Sequence, residues 1–265
     1  MENTLTVTLL QTTLVWHNPA ANCAAFDARL THIPIPTDLI VLPEMFSTGF
    51  SMEAAALAEP MSGPTVAWMQ RTAAAYDAVV TGSLIIRADD GTYRNRLLWV
   101  RPDGSLDYYD KRHLFSFAGE QHHYAPGTAR LVQAWRGWRI CPLVCYDLRF
   151  PVWIRNAAAD PYDLLLYVAN WPAVRRNAWT TLLRARALEN VAYCLGVNRV
   201  GTDGLGHDYA GDSAVIDMGG EYLVQAGNLE LCITRTLHRD ALLAFRAQFP
   251  ALADVDAFRL ETALK

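Results

Sequence analysis

Alternating and continuous apolar stretches divide the chain into short strands separated by helical segments. Apolar and polar residues alternate from Leu5 to Gln11, which is the period of a half-buried strand. Continuous apolar runs at 39–42 and 164–168 are typical of strands buried on both faces. Helical spacing of apolar residues is found over 19–33 and 178–190, and Ser62-Gly63-Pro64-Thr65 opens a further helix that runs to about Tyr76. Strands interleaved with helices predict an α/β fold.

The second half of the chain repeats the plan of the first. Asp38-Leu39-Ile40-Val41-Leu42 and Asp163-Leu164-Leu165-Leu166-Tyr167 lie about 125 residues apart, and each is followed by a helix, a strand and a hairpin. If each half forms one sheet with helices outside it, the sheets pack face to face as a four-layer α-β-β-α sandwich with two pseudo-symmetric halves. We expect residues 1–265 to form a single domain, with a short helix at 150–159 and a C-terminal arm at 238–265.

Composition and charge exclude several classes of function. Apolar residues make up 52% of the 265 residues, which is globular rather than disordered, and a net charge of −4 argues against nucleic-acid binding. No apolar run reaches the roughly 18 residues of a membrane span, and the N-terminus lacks the basic start of a signal peptide. The five scattered cysteines are typical of reduced thiols. We therefore expect a cytoplasmic protein with no membrane partner.

Motifs for cofactors and metals are lacking. The sequence contains no phosphate loop, dinucleotide fingerprint or HExxH motif. Cys141 and Cys145 would share one strand face, but no second Cys/His pair completes a zinc site. His122 and His123 are adjacent, so their side chains point apart on an extended chain. We predict that the protein uses neither a metal ion nor a cofactor.

Three separated blocks carry a family resemblance. They are Leu42-Pro43-Glu44-Met45-Phe46, Tyr109-Asp110-Lys111-Arg112-His113-Leu114-Phe115 and Val144-Cys145-Tyr146-Asp147-Leu148-Arg149-Phe150-Pro151. In this order they resemble the signature blocks of the nitrilase (carbon–nitrogen hydrolase) superfamily. Further matches at 169–172, 184–190 and 198–201 extend the resemblance from Leu5 to about Thr234. Within the superfamily the chain most resembles the bacterial omega-amidase branch, which implies the α-β-β-α sandwich and a homodimer or higher homo-oligomer.

The resemblance also implies a chemistry that the residue types allow. Cys145, at the end of an apolar strand, would attack an amide carbonyl and form a thioester. Its thiol is mostly protonated near neutrality, so a cation such as Lys111 would lower the thiol pKa and a carboxylate such as Glu44 would take the proton. The Lys111 ammonium and the backbone N–H after Cys145 would hold the oxyanion. Glu120, which matches a second glutamate of the family, would orient Lys111 or the substrate amide.

The predicted partner is a small carboxylated amide. Omega-amidases release ammonia from side-chain amides of short α-keto dicarboxylates such as 2-oxoglutaramate and 2-oxosuccinamate, and this substrate class follows from the resemblance alone. A carboxylated substrate favours an arginine for bidentate recognition and aromatic walls. The candidates for substrate binding are Tyr146, Arg149, Phe117, Trp171 and Tyr124. Arg149 could instead form a structural ion pair, and Trp171 could belong to the core.

The residues are also compatible with other functions. Another amidase, a carbamoylase or a nitrilase of the same superfamily would present the same three blocks. A thiol hydrolase of a different class would use His113, His122 or His123 as its base. A catalytically inactive binding scaffold is disfavoured because the thiol, the ammonium and the carboxylate are all present.

Overall fold

The computed structural model describes residues 3–33 and 36–261. The α-helices are α1 (Pro19–Leu30), α2 (Ala54–Leu57), α3 (Pro64–Tyr76), α4 (Pro151–Ile154), α5 (Arg176–Asn190) and α6 (Arg239–Gln248). The strands are β1 (Thr4–Gln11), β2 (Leu39–Val41), β3 (Val79–Arg87), β4 (Tyr93–Val100), β5 (Leu106–Asp110), β6 (Gln133–Trp135), β7 (Trp138–Val144), β8 (Leu164–Ala169), β9 (Tyr193–Asn198), β10 (Val200–Thr202), β11 (Asp208–Ala210), β12 (Ala214–Ile216), β13 (Tyr222–Gln225) and β14 (Leu231–His238).

Two six-stranded sheets share one order of strand directions and differ in where their edge strands, β14 and β6, come from along the chain. Their orders are β14-β1-β2-β3-β4-β5 and β6-β7-β8-β9-β12-β13, while β10 and β11 form a separate pair. In the first sheet β1, β2 and β3 are parallel, and β4 and β5 continue antiparallel. In the second sheet β7, β8 and β9 are parallel, and β12 and β13 continue antiparallel. An antiparallel edge strand, β14 or β6, completes each sheet. The predicted internal repeat is confirmed.

Alternation of side chains along the strands assigns the layers. Ile40 and Val80 pack beneath α1 and α3, whereas their neighbours Val41 and Val79 belong to the core between the sheets. On the opposite side, α5 approaches β9 so closely that a Cβ on Gly196 would lie 2.6 Å from the Trp179 ring. Glycine at this position therefore permits the helix to pack on the strand. The order helix, sheet, sheet, helix confirms the predicted four-layer sandwich.

The helix predicted at 150–159 is shorter than expected. Helix α4 ends at Ile154, and the chain then forms a loop around Asn156. The Asn156 side chain donates to the carbonyls of Tyr162 (3.0 Å) and Asn190 (2.9 Å) and accepts from the Tyr162 N–H (3.0 Å). Such bonds to the backbone compete with helix formation, and the apolar pattern carries no sign of them.

The segment after β14 contains a helix that the sequence pattern did not predict. Leu242 of α6 is fully buried, and Arg246 donates to the carbonyls of Val191 (2.8 Å) and Tyr162 (2.6 Å) and to the Asp163 carboxylate (3.1 Å). These contacts fix α6 against the second half of the domain. The prediction of an arm from residue 238 onward stays a prediction, and its residues 262–265 lie outside the described ranges.

Candidate active site

Cys145 lies where β7 gives way to a short 3-10 helix, Cys145–Arg149. Its φ is 44°, a left-handed conformation that costs a non-glycine residue about 1–3 kcal/mol. The buried Asp147 carboxylate stabilises the turn, because its Oδ2 accepts hydrogen bonds from the Val144 N–H (3.1 Å) and the Tyr109 hydroxyl (2.9 Å). Cys145 is 8% exposed and lies on the floor of a cleft. The structure thus places this thiol where the strand pattern predicts it.

Glu44 follows β2 and is fully buried. Its Oε1 accepts hydrogen bonds from Lys111 Nζ (2.9 Å) and Asn95 Nδ2 (2.8 Å). Its Oε2 accepts from the backbone N–H of Asn170 (2.9 Å). A carboxylate so far from water is tolerated only when its oxygens are paired, and here three donors from three different strands or strand ends satisfy them.

Lys111, directly after β5, is the cation of the site. Its Nζ donates to Glu44 Oε1 (2.9 Å) and to both carboxylate oxygens of Glu120 (3.0 and 2.9 Å). Burial by itself lowers the pKa of Lys111, but the charges of Glu120 and Glu44 outweigh it and raise that pKa above its ordinary value. The ammonium therefore stays protonated throughout the physiological range.

Glu120 lies in a one-turn 3-10 helix, Glu120–His122, within the long loop after Lys111. It is fully buried, and its Oε2 also accepts the Phe115 N–H (2.5 Å). Asn95 Nδ2 donates to Glu120 Oε1 at 3.1 Å. Burial raises the pKa of Glu120, Lys111 lowers it and the negative charge of Glu44 raises it again, which leaves it above its ordinary value. Glu120 and Glu44 thus hold Lys111 between them.

The Cys145 thiol rests in its protonated form. Burial and the Glu44 charge raise its pKa, Lys111 lowers it, and a hydrogen bond with Glu44 raises it further, so the pKa lies well above the ordinary value. The expected effect of Lys111 is present, but burial and Glu44 outweigh it. Because a protonated thiol is a poor nucleophile, attack requires a base at the moment of reaction. Glu44 is the carboxylate placed to accept that proton.

A cleft of about 750 Å³ opens above these groups. Glu44, Lys111 and Cys145 all contribute to its lining, and its walls combine aromatic rings with charged and polar side chains. The volume is within the usual range of small-molecule sites, about 300–1,000 Å³. The cleft can therefore admit a small substrate to the buried reactive groups.

Four of the five predicted substrate-binding residues line this cleft: Tyr146, Arg149, Phe117 and Trp171. Phe117 is 84% exposed at the rim, whereas Trp171 is buried and forms part of the wall. The Arg149 guanidinium lies 5.0 Å from the centre of the Trp171 ring. Within residues 3–33 and 36–261 Arg149 makes no ion pair, so the structural ion pair considered as its alternative role is not formed.

Tyr124 is the exception. It is 4% exposed and packs in a small core with Met45, Ala54 and Ile85. Its hydroxyl donates to the carbonyl of Ser51 at 2.5 Å. Among the described residues, Ser51 lines the cleft and Tyr124 does not. The expectation that Tyr124 contacts substrate is therefore corrected, because the loop that carries it folds inward behind the wall.

The histidines proposed as alternative bases do not line the cleft. His113 Nδ1 lies 2.8 Å from Asp147 Oδ1, and its ring stacks on Phe150 with centroids 3.8 Å apart. His122 and His123 are exposed.

The described residues hold no cluster of three or more His, Cys, Asp or Glu side chains suited to a metal ion. No described helix is long and apolar enough to cross a membrane.

Sequence reasoning missed two residues of the site. Asn95 bridges Glu44 and Glu120 from the middle of β4, where no neighbouring motif marks it. Asn170 donates from Nδ2 to the Glu44 carbonyl (2.5 Å), and its own carbonyl oxygen lies 3.9 Å from Cys145 Sγ. Asn170 falls in the matching block at 169–172, which is the signal that could have found it.

Comparisons with known proteins identify the family of this chain. The Carbon-nitrogen hydrolase family matches residues 7–247. Omega-amidase YafV from Yersinia enterocolitica is 50% identical over 259 residues, which cover 97% of this chain and 99% of that protein. A 2-oxoglutaramate amidase from Bacillus subtilis is 27% identical over 94% of this chain and 97% of its own length.

A solved structure extends the agreement to three dimensions. A CN-hydrolase superfamily protein from Xanthomonas campestris, solved with an arsenic adduct in its active site, is 49% identical with a TM-score of 0.95. The match covers 98% of this chain and 100% of that one. The chain therefore belongs to the carbon-nitrogen hydrolase family of the nitrilase superfamily, whose members are hydrolases acting on carbon–nitrogen bonds other than peptide bonds.

Proposed function

We propose that this protein is an omega-amidase that hydrolyses the terminal amide of short α-keto dicarboxylic acids, such as 2-oxoglutaramate or 2-oxosuccinamate, and releases ammonia. The similarity to omega-amidases over 97% of the chain supports the substrate class. The buried contacts among Glu44, Lys111 and Cys145 support the chemistry, and they are the observation that carries the proposal.

The first step is attack of Cys145 on the amide carbonyl. Glu44 takes the thiol proton as the carbon–sulfur bond forms, because the thiol is protonated at rest. The resulting oxyanion is held by the Lys111 ammonium and by the backbone N–H of Tyr146. That N–H lies in the first turn of the 3-10 helix, where no acceptor within the helix is available.

The second half of the cycle reverses the proton transfer. Glu44 gives its proton to the departing nitrogen, and the carbon–nitrogen bond breaks to leave ammonia and a thioester on Cys145. Glu44 then removes a proton from water, which attacks the thioester and releases the carboxylic acid and the thiol. Lys111 stabilises both oxyanions, while Glu120 keeps the ammonium in place through two hydrogen bonds.

Arg149 binds the substrate carboxylate in this proposal. Its guanidinium lines the cleft against the Trp171 ring, and Tyr146 and Phe117 add aromatic wall. A planar guanidinium can bind a carboxylate with two parallel hydrogen bonds. The keto and methylene groups of a short substrate would lie along the aromatic walls.

A panel of ammonia-release assays tests this function. The substrates are ω-amides of α-keto acids, free glutamine, an N-carbamoyl amino acid and a nitrile, with Cys145→Ala as the inactive control. We expect the highest kcat/KM for the keto-acid amides. A higher value for the carbamoyl compound or the nitrile would replace the omega-amidase by another activity of the superfamily.

We also propose a homodimer or larger homo-oligomer. The resemblance to the superfamily supports this proposal, and exposed apolar side chains on the outer helices, Leu188 of α5 and Leu243 of α6, are available for such a contact. Light scattering coupled to size exclusion would measure the mass in solution, and the mass of a single chain would contradict the proposal. Cytoplasmic location stays a prediction.

A further inference from the structure

Two arginines of the cleft lack the partners that arginines elsewhere in the chain possess. Among the described residues, the other buried and half-buried arginines donate side-chain hydrogen bonds to carboxylate, carbonyl or hydroxyl oxygens. Arg149 and Arg175 make no such bond within those residues, although both are half-buried and line the same cleft. A guanidinium that has lost part of its hydration without gaining an acceptor is poised to bind an anion.

Aromatic rings, rather than acids, hold the Arg175 side chain. Its guanidinium carbon lies 5.1 Å from the centre of the Phe115 ring and 5.8 Å from that of Phe117. Such contacts stabilise a cation while leaving its hydrogen-bond donors unused. The next residue shows the contrast, because Arg176 pairs with both carboxylate oxygens of Asp212.

One short segment joins these arginines to the reactive groups. At its start, Asn170 donates its backbone N–H to Glu44 and accepts at its carbonyl from Cys145. Trp171 follows, with the Arg149 guanidinium 5.0 Å from its ring centre, and its Nε1 donates to the Arg175 carbonyl at 2.9 Å. The segment 170–175 thus runs from the reacting centre to the second unpaired guanidinium.

We infer that Arg175 is a specificity-determining residue, which forms with Arg149 a two-guanidinium clamp for the carboxylate at the far end of the substrate amide. Both guanidinium groups line the same cleft, and Arg175 supplies a second set of fork-like donors, so a carboxylate in the clamp accepts hydrogen bonds from two arginines instead of one. A neutral amide of equal length has no carboxylate, so the clamp does not strengthen its binding. The inference rests on the proposed function, since it presumes a carboxylated acyl chain.

The test compares a carboxylated amide with a neutral one of the same chain length. Glutaramate and pentanamide serve as the pair, and kcat and KM are measured for the wild type, Arg175→Met and Arg175→Lys. Arg71→Met, which removes a charge from the exposed face of α3, is the matched control for loss of a positive charge. Thermal unfolding of each variant monitors the fold.

We expect Arg175→Met to lower kcat/KM for glutaramate by about ten- to a hundredfold through KM, the range for one charge-assisted hydrogen bond. The value for pentanamide should change less than about twofold, and Arg71→Met should leave both substrates unchanged. Arg175→Lys should recover only part of the loss, because an ammonium lacks the planar fork. Inhibition by glutarate should weaken in parallel with the loss in KM.

Other outcomes overturn the inference and separate it from the proposed function. If the wild type prefers glutaramate but Arg175→Met affects both substrates equally or neither, Arg175 is not part of the clamp and the omega-amidase proposal stands. If the wild type shows no preference for glutaramate over pentanamide, the carboxylated substrate class fails and the clamp fails with it.

Discussion

Replacement of Lys111 by methionine tests how the buried cluster is held together. The ammonium lies 2.9–3.0 Å from oxygens of Glu44 and Glu120, and all three side chains are shielded from solvent. Methionine fills much of the same space but leaves two carboxylates buried without a counterion. Removal of one partner of a buried ion pair costs about 3–5 kcal/mol. We expect the free energy of unfolding at neutral pH to fall by that amount.

The pH dependence of this loss follows from the Glu120 pKa. That pKa is raised above its ordinary value even with Lys111 present, and it rises further without the ammonium. A carboxyl group whose folded-state pKa exceeds its unfolded value binds more protons in the folded state, so stability falls as pH rises between the two values. The deficit of Lys111→Met relative to the wild type should therefore shrink as pH is lowered from neutrality.

Urea unfolding at a series of pH values measures the stability, and steady-state kinetics measures the chemistry. Loss of one oxyanion donor typically lowers kcat by about 10²–10³, which we expect for Lys111→Met. The double variant Lys111→Met/Glu120→Gln carries one buried charge fewer, so it should regain stability at neutral pH without regaining activity. An unchanged kcat would remove Lys111 from the mechanism. A stability deficit that is equal at every pH would contradict the account of the paired carboxylates.

Three further outcomes are expected. Asn95→Ala removes the donor shared by Glu44 and Glu120, so unfolding free energy should fall by about 1–3 kcal/mol; an unchanged urea midpoint would show that the bridge is unimportant. Arg149→Lys should raise KM for carboxylated amides much more than for neutral ones, and equal effects would refute its recognition role. Alkylation of Cys145 by iodoacetamide should still accelerate with pH above the ordinary thiol value of about 8.5, whereas a plateau below that value would mean that the thiolate is preformed.

The sheet architecture was predictable because hydrophobic patterning is a local signal. The runs at 39–41 and 164–168 became the central parallel strands β2 and β8 of the two sheets. The internal repeat then assigned one sheet to each half, and the exception is β14, which comes from the second half and completes the first sheet. Helix α6 was missed although its apolar residues recur at helical spacing, with Leu242 fully buried and Phe245 packed against the core. What the sequence could not show is how Arg246 fixes the helix, because it donates to the carbonyls of Val191 and Tyr162, which lie in distant parts of the chain. Such pairings depend on the tertiary structure and leave no periodicity in the sequence.

In the candidate site, too, some residues could be predicted from the sequence and others could not. Glu44, Lys111 and Cys145 could be identified because each lies in a recognisable block. Asn95 could not be identified, because its role depends on hydrogen bonds to Glu44 and Glu120 that form only in the folded protein. No motif in the sequence marks an asparagine within a strand. Tyr124 shows the opposite failure, since its residue type fits a substrate wall but its loop turns it into a core.

The most direct test of the central claim is the identity of the covalent intermediate. Enzyme mixed with 2-oxoglutaramate is quenched in acid within a turnover, digested and analysed by mass spectrometry. The account predicts an acyl group in thioester linkage to Cys145, lost in Cys145→Ala together with ammonia release. An acyl group on another residue, or turnover that continues in Cys145→Ala, would contradict it.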